Sequence, residues 1–251
     1  MTHSASFRFY EELNDFLPEK KKRISFYYPF NGSPSVKDVI EAIGIPHVEV
    51  DLILVNGISV DFSYRLRNND VVSVYPVFET LDIKELTRLR GEPLRKVRFI
   101  ADVHLGKLAK YLRLCGFDTS YAQNYTDREI ITLAKEENRI ILTRDIGILR
   151  NGLVTHGSWI RSQNPVVQLA EVITRFDLRR KIELFSRCSI CNNTLVGVAK
   201  EEIADRLLPA TIQYYNEFKI CSGCRKIYWQ GSHSARLNEL IEKIITNPPG
   251  Y

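Results

Sequence analysis

Two CxxC pairs, Cys188–Cys191 and Cys221–Cys224, stand 29 residues apart in the last quarter of this 251-residue chain. Any fold it adopts has to bring them together or leave four thiols loose. No apolar run approaches the roughly 18 residues needed to span a bilayer. The N-terminus, "MTHSASFRFYEELNDF", lacks the apolar core of a signal peptide. The expectation is therefore a soluble, cytoplasmic protein without a membrane partner, where disulfides are disfavoured. A redox dithiol needs one CxxC, not two. The two-residue spacer points both thiolates of one turn at the same ion, and a second knuckle completes a tetrahedron. Cys188, Cys191, Cys221 and Cys224 thus read as a Cys₄ zinc site. Four thiolates leave no open coordination position, so this Zn²⁺ is structural. The fifth cysteine, Cys115, lies at a helix end and reads as partly buried filling.

Upstream, residues 95–180 read β-α-β-α-β, the signature of a parallel sheet flanked by helices. "KVRFIAD" is a strand, "HLGKLAKYLRLCG" a helix, "FDTSYAQ" a strand, "DREIITLAKEEN" a helix and "RIILTRD" the third strand. The first and third of these strands end in Asp102 and Asp145. A carboxylate is costly to bury unless paired or metal-bound, and the carboxyl ends of parallel strands are where ligands bind. Two such acids side by side repel unless a cation lies between them. Hard oxygen donors suit Mg²⁺ or Mn²⁺, and a metal so held acidifies a water and polarises a phosphate. The competing reading is two unrelated turn residues.

A third acid is expected from the start of the second helix, "YTDREI". Asp127 stands there as a site residue or as a complement to the helix dipole. Glu129 stands as an additional acid or, with Thr126, as one half of a T-x-x-E capping box. Asp118, opening "FDTSY", is a site-edge or surface residue.

Residues 1–80 carry 8 Lys/Arg against 11 Asp/Glu, leaving 27 against 19 for the remainder. Within residues 84–113 there are nine basic and three acidic side chains. That concentration suits a phosphate backbone, or is simply a solvated face.

The first segment orders as ββαββ. "FRFYEEL" and "RISFYYPF" are strands. "SVKDVIEAIGI" is a short amphipathic helix with Ser35 as N-cap and Gly44 as C-cap. "VEVDLILVNG" and "VVSVYPVF" follow as strands. This order resembles the ubiquitin-like β-grasp fold. "LVNGISVDFSYRLRNNDVVSVYPVF" is similar to small sulfur carriers and to RNA-associated β-grasp modules. Sulfur carriers need a free Gly-Gly end, whereas here the chain runs on through "PVFETLDIKEL". An interaction or RNA-docking module is the better reading, beside that of a structural appendage.

"FIADVHLGKLAKYLRLCGFD", then "TDREIITLAKEENRIILTRD", then paired CxxC knuckles with "YWQGSH" resemble the C-terminal nuclease domain of the Mut-seven exoribonuclease family, over about residues 97–233. The resemblance implies a PIN-like nuclease domain with a zinc ribbon, preceded in some members by a ubiquitin-like domain. The division expected is 1–80 ubiquitin-like β-grasp, 81–96 basic linker, 97–184 PIN-like α/β/α parallel sheet, and 185–251 zinc ribbon and C-terminal helix. The activity implied is metal-dependent hydrolysis of RNA, single-stranded or tRNA-like. Asp102, Asp127 and Asp145 match the family's acids and would hold Mg²⁺ or Mn²⁺. Lys107 and Arg113 fall on basic positions suited to phosphate, Arg144 lies beside the site, and His233 reads as an RNA- or fold-facing residue. The alternative is a non-catalytic RNA- or ribosome-binding adaptor.

Overall fold

The computed structural model describes residues 2–76, 97–231, 239 and 241–243. The expected basic linker, most of the expected C-terminal helix and His233 lie outside the described residues. In chain order the first elements are β1 (His3–Phe9), β2 (Phe26–Phe30), α1 (Val36–Ile43), β3 (Val50–Val55), β4 (Ile58–Val60) and β5 (Val71–Pro76). Next come β6 (Arg98–Ala101), α2 (Gly106–Leu114), β7 (Asp118–Ser120), α3 (Asp127–Glu136), β8 (Ile140–Thr143), α4 (Ile146–Leu149), β9 (Gly157–Trp159) and α5 (Pro165–Arg175). The last are β10 (Leu195–Val198), α6 (Pro209–Tyr214), β11 (Phe218–Cys221) and β12 (Ile227–Trp229).

β1 to β5 form one sheet of order β2-β1-β5-β3-β4. β1 runs parallel to β5, and every other pairing in the sheet is antiparallel. This is the β-grasp arrangement that ββαββ implies, with β4 added as a short edge. Alternating residues fill its core: Phe7 and Phe9 from β1, Val72 and Val74 from β5, against Val36 and Ile40 of α1. The α1 boundaries follow from its caps. The Ser35 hydroxyl accepts from Asp38 N at 3.1 Å, and the Asp38 carboxylate accepts from Ser35 N at 3.2 Å, a reciprocal capping box. Gly44 ends the helix at φ +125°, a conformation that side chains disfavour.

Contacts divide the chain into two compact units, one of Met1–Lys96 with Ile131–Trp159, the other of Val97–Ile130 with Ile160–Tyr251. This grouping does not follow the linear order of segments. In the first unit the β-grasp is fastened to the β8–β9 segment. His47, 8% exposed, lies 2.6 Å from Glu41 Oε1 by Nδ1 and 2.9 Å from the Val154 carbonyl by Nε2. Arg150 donates to the Gly44 carbonyl at 2.5 Å, and Glu49 Oε1 accepts from Trp159 N at 2.6 Å. The Phe16 and Trp159 rings meet at 5.0 Å.

β8 runs parallel to β9 in the first unit, and β6 runs parallel to β7 in the second. In the second unit α2 packs on α5, and Leu108 and Leu112 of α2, with Leu105 just before it, are fully buried. Phe99 of β6 meets Phe117 and Phe176 edge-on. Cys115 is fully buried here rather than partly, and burial alone pushes its thiol up to about 12.

The third sheet is antiparallel, of order β10-β11-β12. The long gap between the two CxxC pairs is filled by a 3₁₀ helix, Lys200–Arg206, and by α6. Ile203, Leu207 and Tyr215 of this insertion pack on Val198, Phe218, Ile220 and Ile227. A small sheet needs a packed apolar face to be stable, and the insertion covers one face of this sheet.

Candidate functional site

The sulfur atoms of Cys188, Cys191, Cys221 and Cys224 all lie within 4.8 Å of one another, with 188–224 at 3.6 Å and 191–221 at 3.3 Å. A tetrahedral zinc with Zn–S of about 2.3 Å sets its sulfurs roughly 3.8 Å apart, so the donor set fits such an ion. Both knuckles share one local device. Asn192 N donates to the Cys188 carbonyl and Arg225 N to the Cys221 carbonyl. Asn192 and Arg225, each following the second cysteine of its pair, have φ +67° and +61°. Asparagine tolerates this conformation; for arginine it costs roughly 1–2 kcal/mol, which the closure of the site offsets.

The electrostatics of the cluster call for a cation. Burial opposes it, but hydrogen bonds from Asn193 and from the Cys221 thiol hold Cys191 down to about 5. At Cys224 the Lys226 N–H pulls downward, yet desolvation and the three neighbouring sulfurs push the thiol up to about 12. Four thiolates this close cannot all ionise without a metal to neutralise them. The Tyr228 hydroxyl lies 3.0 Å from Cys188 Sγ and 3.3 Å from Ser189 Oγ, a partner of the first shell that the spacing of the cysteines did not reveal.

The first knuckle is anchored to β7. Asn192 Nδ2 donates to Asp118 at 2.8 Å, and its Oδ1 accepts from Thr119 N at 3.0 Å. Arg113 corrects the sequence expectation. It is only 5% exposed, and its guanidinium donates to the carbonyls of Thr119 at 2.8 Å, Ile190 at 2.7 Å and Ser189 at 3.4 Å. Burial lowers its pKa, while Cys188 and Cys191 favour its charge. A guanidinium so occupied supports the knuckle rather than a phosphate. Asp118, a site-edge or surface residue by sequence, belongs to the same anchor.

The three aspartates each stand at an element end. Asp102 follows β6, is 4% exposed, and accepts from Val103 N at 2.5 Å as the cap of the 3₁₀ turn Val103–Leu105. Gly106 lies just beyond, where a Cβ would come 2.5 Å from the Tyr121 hydroxyl; that hydroxyl donates to the Val103 carbonyl at 3.1 Å. Asp145 follows β8 and is exposed. Its N–H donates to Thr143 Oγ1 at 2.9 Å, and its Oδ1 accepts from Gly147 N at 2.7 Å. A Cβ at Gly147 would lie 3.0 Å from that oxygen, so glycine lets the turn close on the carboxylate. Asp127 opens α3 and is exposed, and its carboxylate makes none of the side-chain hydrogen bonds or ion pairs found among the described residues.

Glu129 is committed to its helix. Its carboxylate accepts from Thr126 N and from the Thr126 hydroxyl, both at 2.8 Å, and its own N–H donates to Thr126 Oγ1 at 3.3 Å. The backbone bond first, and the hydroxyl second, hold its pKa below the usual carboxylate range. Of the two readings open in the sequence, the capping box is the one formed. Lys107 is exposed on α2 and Arg144 is half-buried, its carbonyl accepting from Trp159 Nε1 at 3.3 Å.

No helix among the described residues is long and apolar enough to cross a membrane. Comparison with curated proteins and with solved structures finds no match. Two family models match. Residues 2–82 fit the Mut7-C ubiquitin model, over the β-grasp sheet. Residues 97–241 fit the Mut7-C RNAse domain model, over the parallel strands, the strand-end aspartates and the cysteine cluster, and so the chain belongs to the Mut7-C RNAse domain family.

Proposed function

We propose that the protein is a metal-dependent ribonuclease in which Asp102, Asp127 and Asp145 form the catalytic acid cluster and the Cys₄ site holds a structural zinc. The observation that carries this reading is the RNAse-domain match over residues 97–241, which takes in β6 and β8, two strands that each run into an aspartate. Each of Asp102 and Asp145 follows the carboxyl end of a strand that has a parallel partner, the kind of edge at which open sheets bind their ligands.

The carboxylates suit a hard divalent ion. Bound Mg²⁺ or Mn²⁺ supplies Lewis-acid stabilisation of phosphate charge and acidifies a water. The chain's own part is orientation. The N–H of Val103 and that of Gly147 each fix one oxygen of Asp102 and Asp145. Asp145 Oδ2 has no hydrogen bond among the described residues and points the choice of ligand atom to it. Lys107 and Arg144 supply positive charge for flanking phosphates. The water oxygen joins phosphorus, the P–O3′ bond breaks, and the proton ends on O3′, leaving 5′-phosphate and 3′-hydroxyl ends. Single-stranded RNA and tRNA are the substrates to compare.

The test uses end-labelled single-stranded RNA and tRNA with Mg²⁺, with Mn²⁺ and with neither. Cleavage that needs the added metal and leaves 5′-phosphates supports the reading. A 2′,3′-cyclic phosphate overturns the mechanism. Salt-sensitive RNA binding without any turnover favours the adaptor instead.

A further inference from the structure

The third sheet carries a groove of about 270 Å³ at the ends of its strands away from the cysteines. That is at the small end for ligand sites and suits one planar group. Phe185, Tyr228 and Trp229 contribute aromatic surface to it, and Gly197 forms part of its wall. A Cβ at Gly197 would meet nothing within 4 Å, so the wall is open there to a flat ligand. Phe185 is held at φ +57°, and its carbonyl accepts from Lys219 Nζ at 2.9 Å. A bulky residue in that conformation is rare, and here a specific bond keeps it beside the groove.

The polar groups on the rim are of both kinds. The exposed Glu217 side chain presents two acceptors. The Gln230 amide has no hydrogen bond among the described residues, and Asn216 spends only its Oδ1, on Lys200 Nζ at 3.0 Å. Trp229, 37% exposed, leans on Phe218 and Tyr215 and so keeps its ring in place. Aromatic surface with a few edge-reading polar groups is how proteins take unstacked bases of single-stranded RNA.

We infer that this groove binds one unstacked base of an RNA strand, and guanine by preference. Guanine places N1–H and N2–H₂ side by side, a match for the two oxygens of Glu217. It also offers O6 and N7 as acceptors to the amides of Gln230 and Asn216. Adenine, cytosine and uracil lack the paired donors. The rim carries one carboxylate, Glu217, and one ammonium, Lys219, whose Nζ already donates to the Phe185 carbonyl, so it holds no surplus positive charge for a phosphate and suits a neutral base. The biological occupant rests on the ribonuclease reading; the groove's chemistry does not.

The experiment follows the Trp229 indole N–H resonance of the zinc-loaded full chain during titration with GMP, AMP, CMP or UMP. Mononucleotides hold no internucleotide bond, so the result stands whether or not RNA is cleaved. Saturable GMP binding is expected, at least about fivefold tighter than for the other three. Trp229→Ala weakens GMP binding about fivefold or more, read from backbone resonances around Lys219. Glu217→Gln, an exposed change that leaves the sheet intact, removes the preference for guanine. Absence of saturable binding by any nucleotide overturns the site. Equal binding of all four, or an unchanged preference in Glu217→Gln, overturns the guanine assignment.

Discussion

The cysteine cluster and the three aspartates are both expected metal centres, and they are built in opposite ways. The cysteines come from two local turns of one small sheet, and their sulfurs converge within 4.8 Å. The aspartates come from two strand ends and a helix start; a neighbouring N–H orients Asp102 and Asp145 before any metal is considered, and Asp127 stands exposed in the first turn of α3. A site of the first kind is a folding element, because its ligands have no other way to satisfy their charge. A site of the second kind is borrowed from the sheet, which forms without it. Loss of a cysteine should therefore cost structure, and loss of an aspartate should cost activity.

The largest effect belongs to Cys221→Ser. Zinc content should fall below one ion per chain and solubility should drop, measured by elemental analysis and sedimentation; full zinc occupancy would break the Cys₄ assignment. Next is Arg113→Ala, which strips three carbonyls of their donor and uncouples the first knuckle from β7. It should cost about 2–4 kcal/mol in chemical denaturation. Lys107→Ala, on the same helix but exposed, should leave stability within about 0.5 kcal/mol and weaken RNA binding instead. If the two variants behave alike, the distinction between a buried and a presented cation on α2 is wrong.

Glu129→Gln sharpens the contrast further. It should lower the midpoint of chemical denaturation slightly at neutral pH with cleavage nearly unchanged, whereas Asp127→Asn should lose cleavage and keep stability. Because hydrogen bonding depresses the Glu129 pKa, its contribution is present above the ordinary carboxylate range and fades as pH falls through the depressed value. The smallest effect is at Cys115. Buried and with its thiol near 12, it should resist iodoacetamide at pH 8 in the folded protein and react once denatured.

What was legible in the sequence was local. Cysteine spacing, the Ser35 and Gly44 caps, the Thr126–Glu129 box and the strands ending in Asp102 and Asp145 depend on residues within a few positions of one another. Arg113 reads as a phosphate contact by its charge, yet it follows Ala109 by four residues, at the edge of the apolar stripe, so helical spacing sets it against the core. The fastening of the β-grasp to the β8–β9 segment had no local signal. His47 and Val154 are 107 residues apart, and neither stands in a recognisable motif. Nor does any spacing announce that Asn192 will extend the hydrogen bonding of β7, since that depends on two distant turns meeting.

The central claim is that the strand-end aspartates perform the chemistry on a scaffold that does not need them. The direct measurement compares wild type with Asp102→Asn/Asp145→Asn, matched for zinc content and melting temperature, on end-labelled RNA with Mg²⁺ or Mn²⁺. The account predicts a rate lower by more than the roughly 10–100-fold typical of a group that only supports a ligand, on an intact fold. Cleavage at the wild-type rate by the double variant, or its failure to fold, would contradict it.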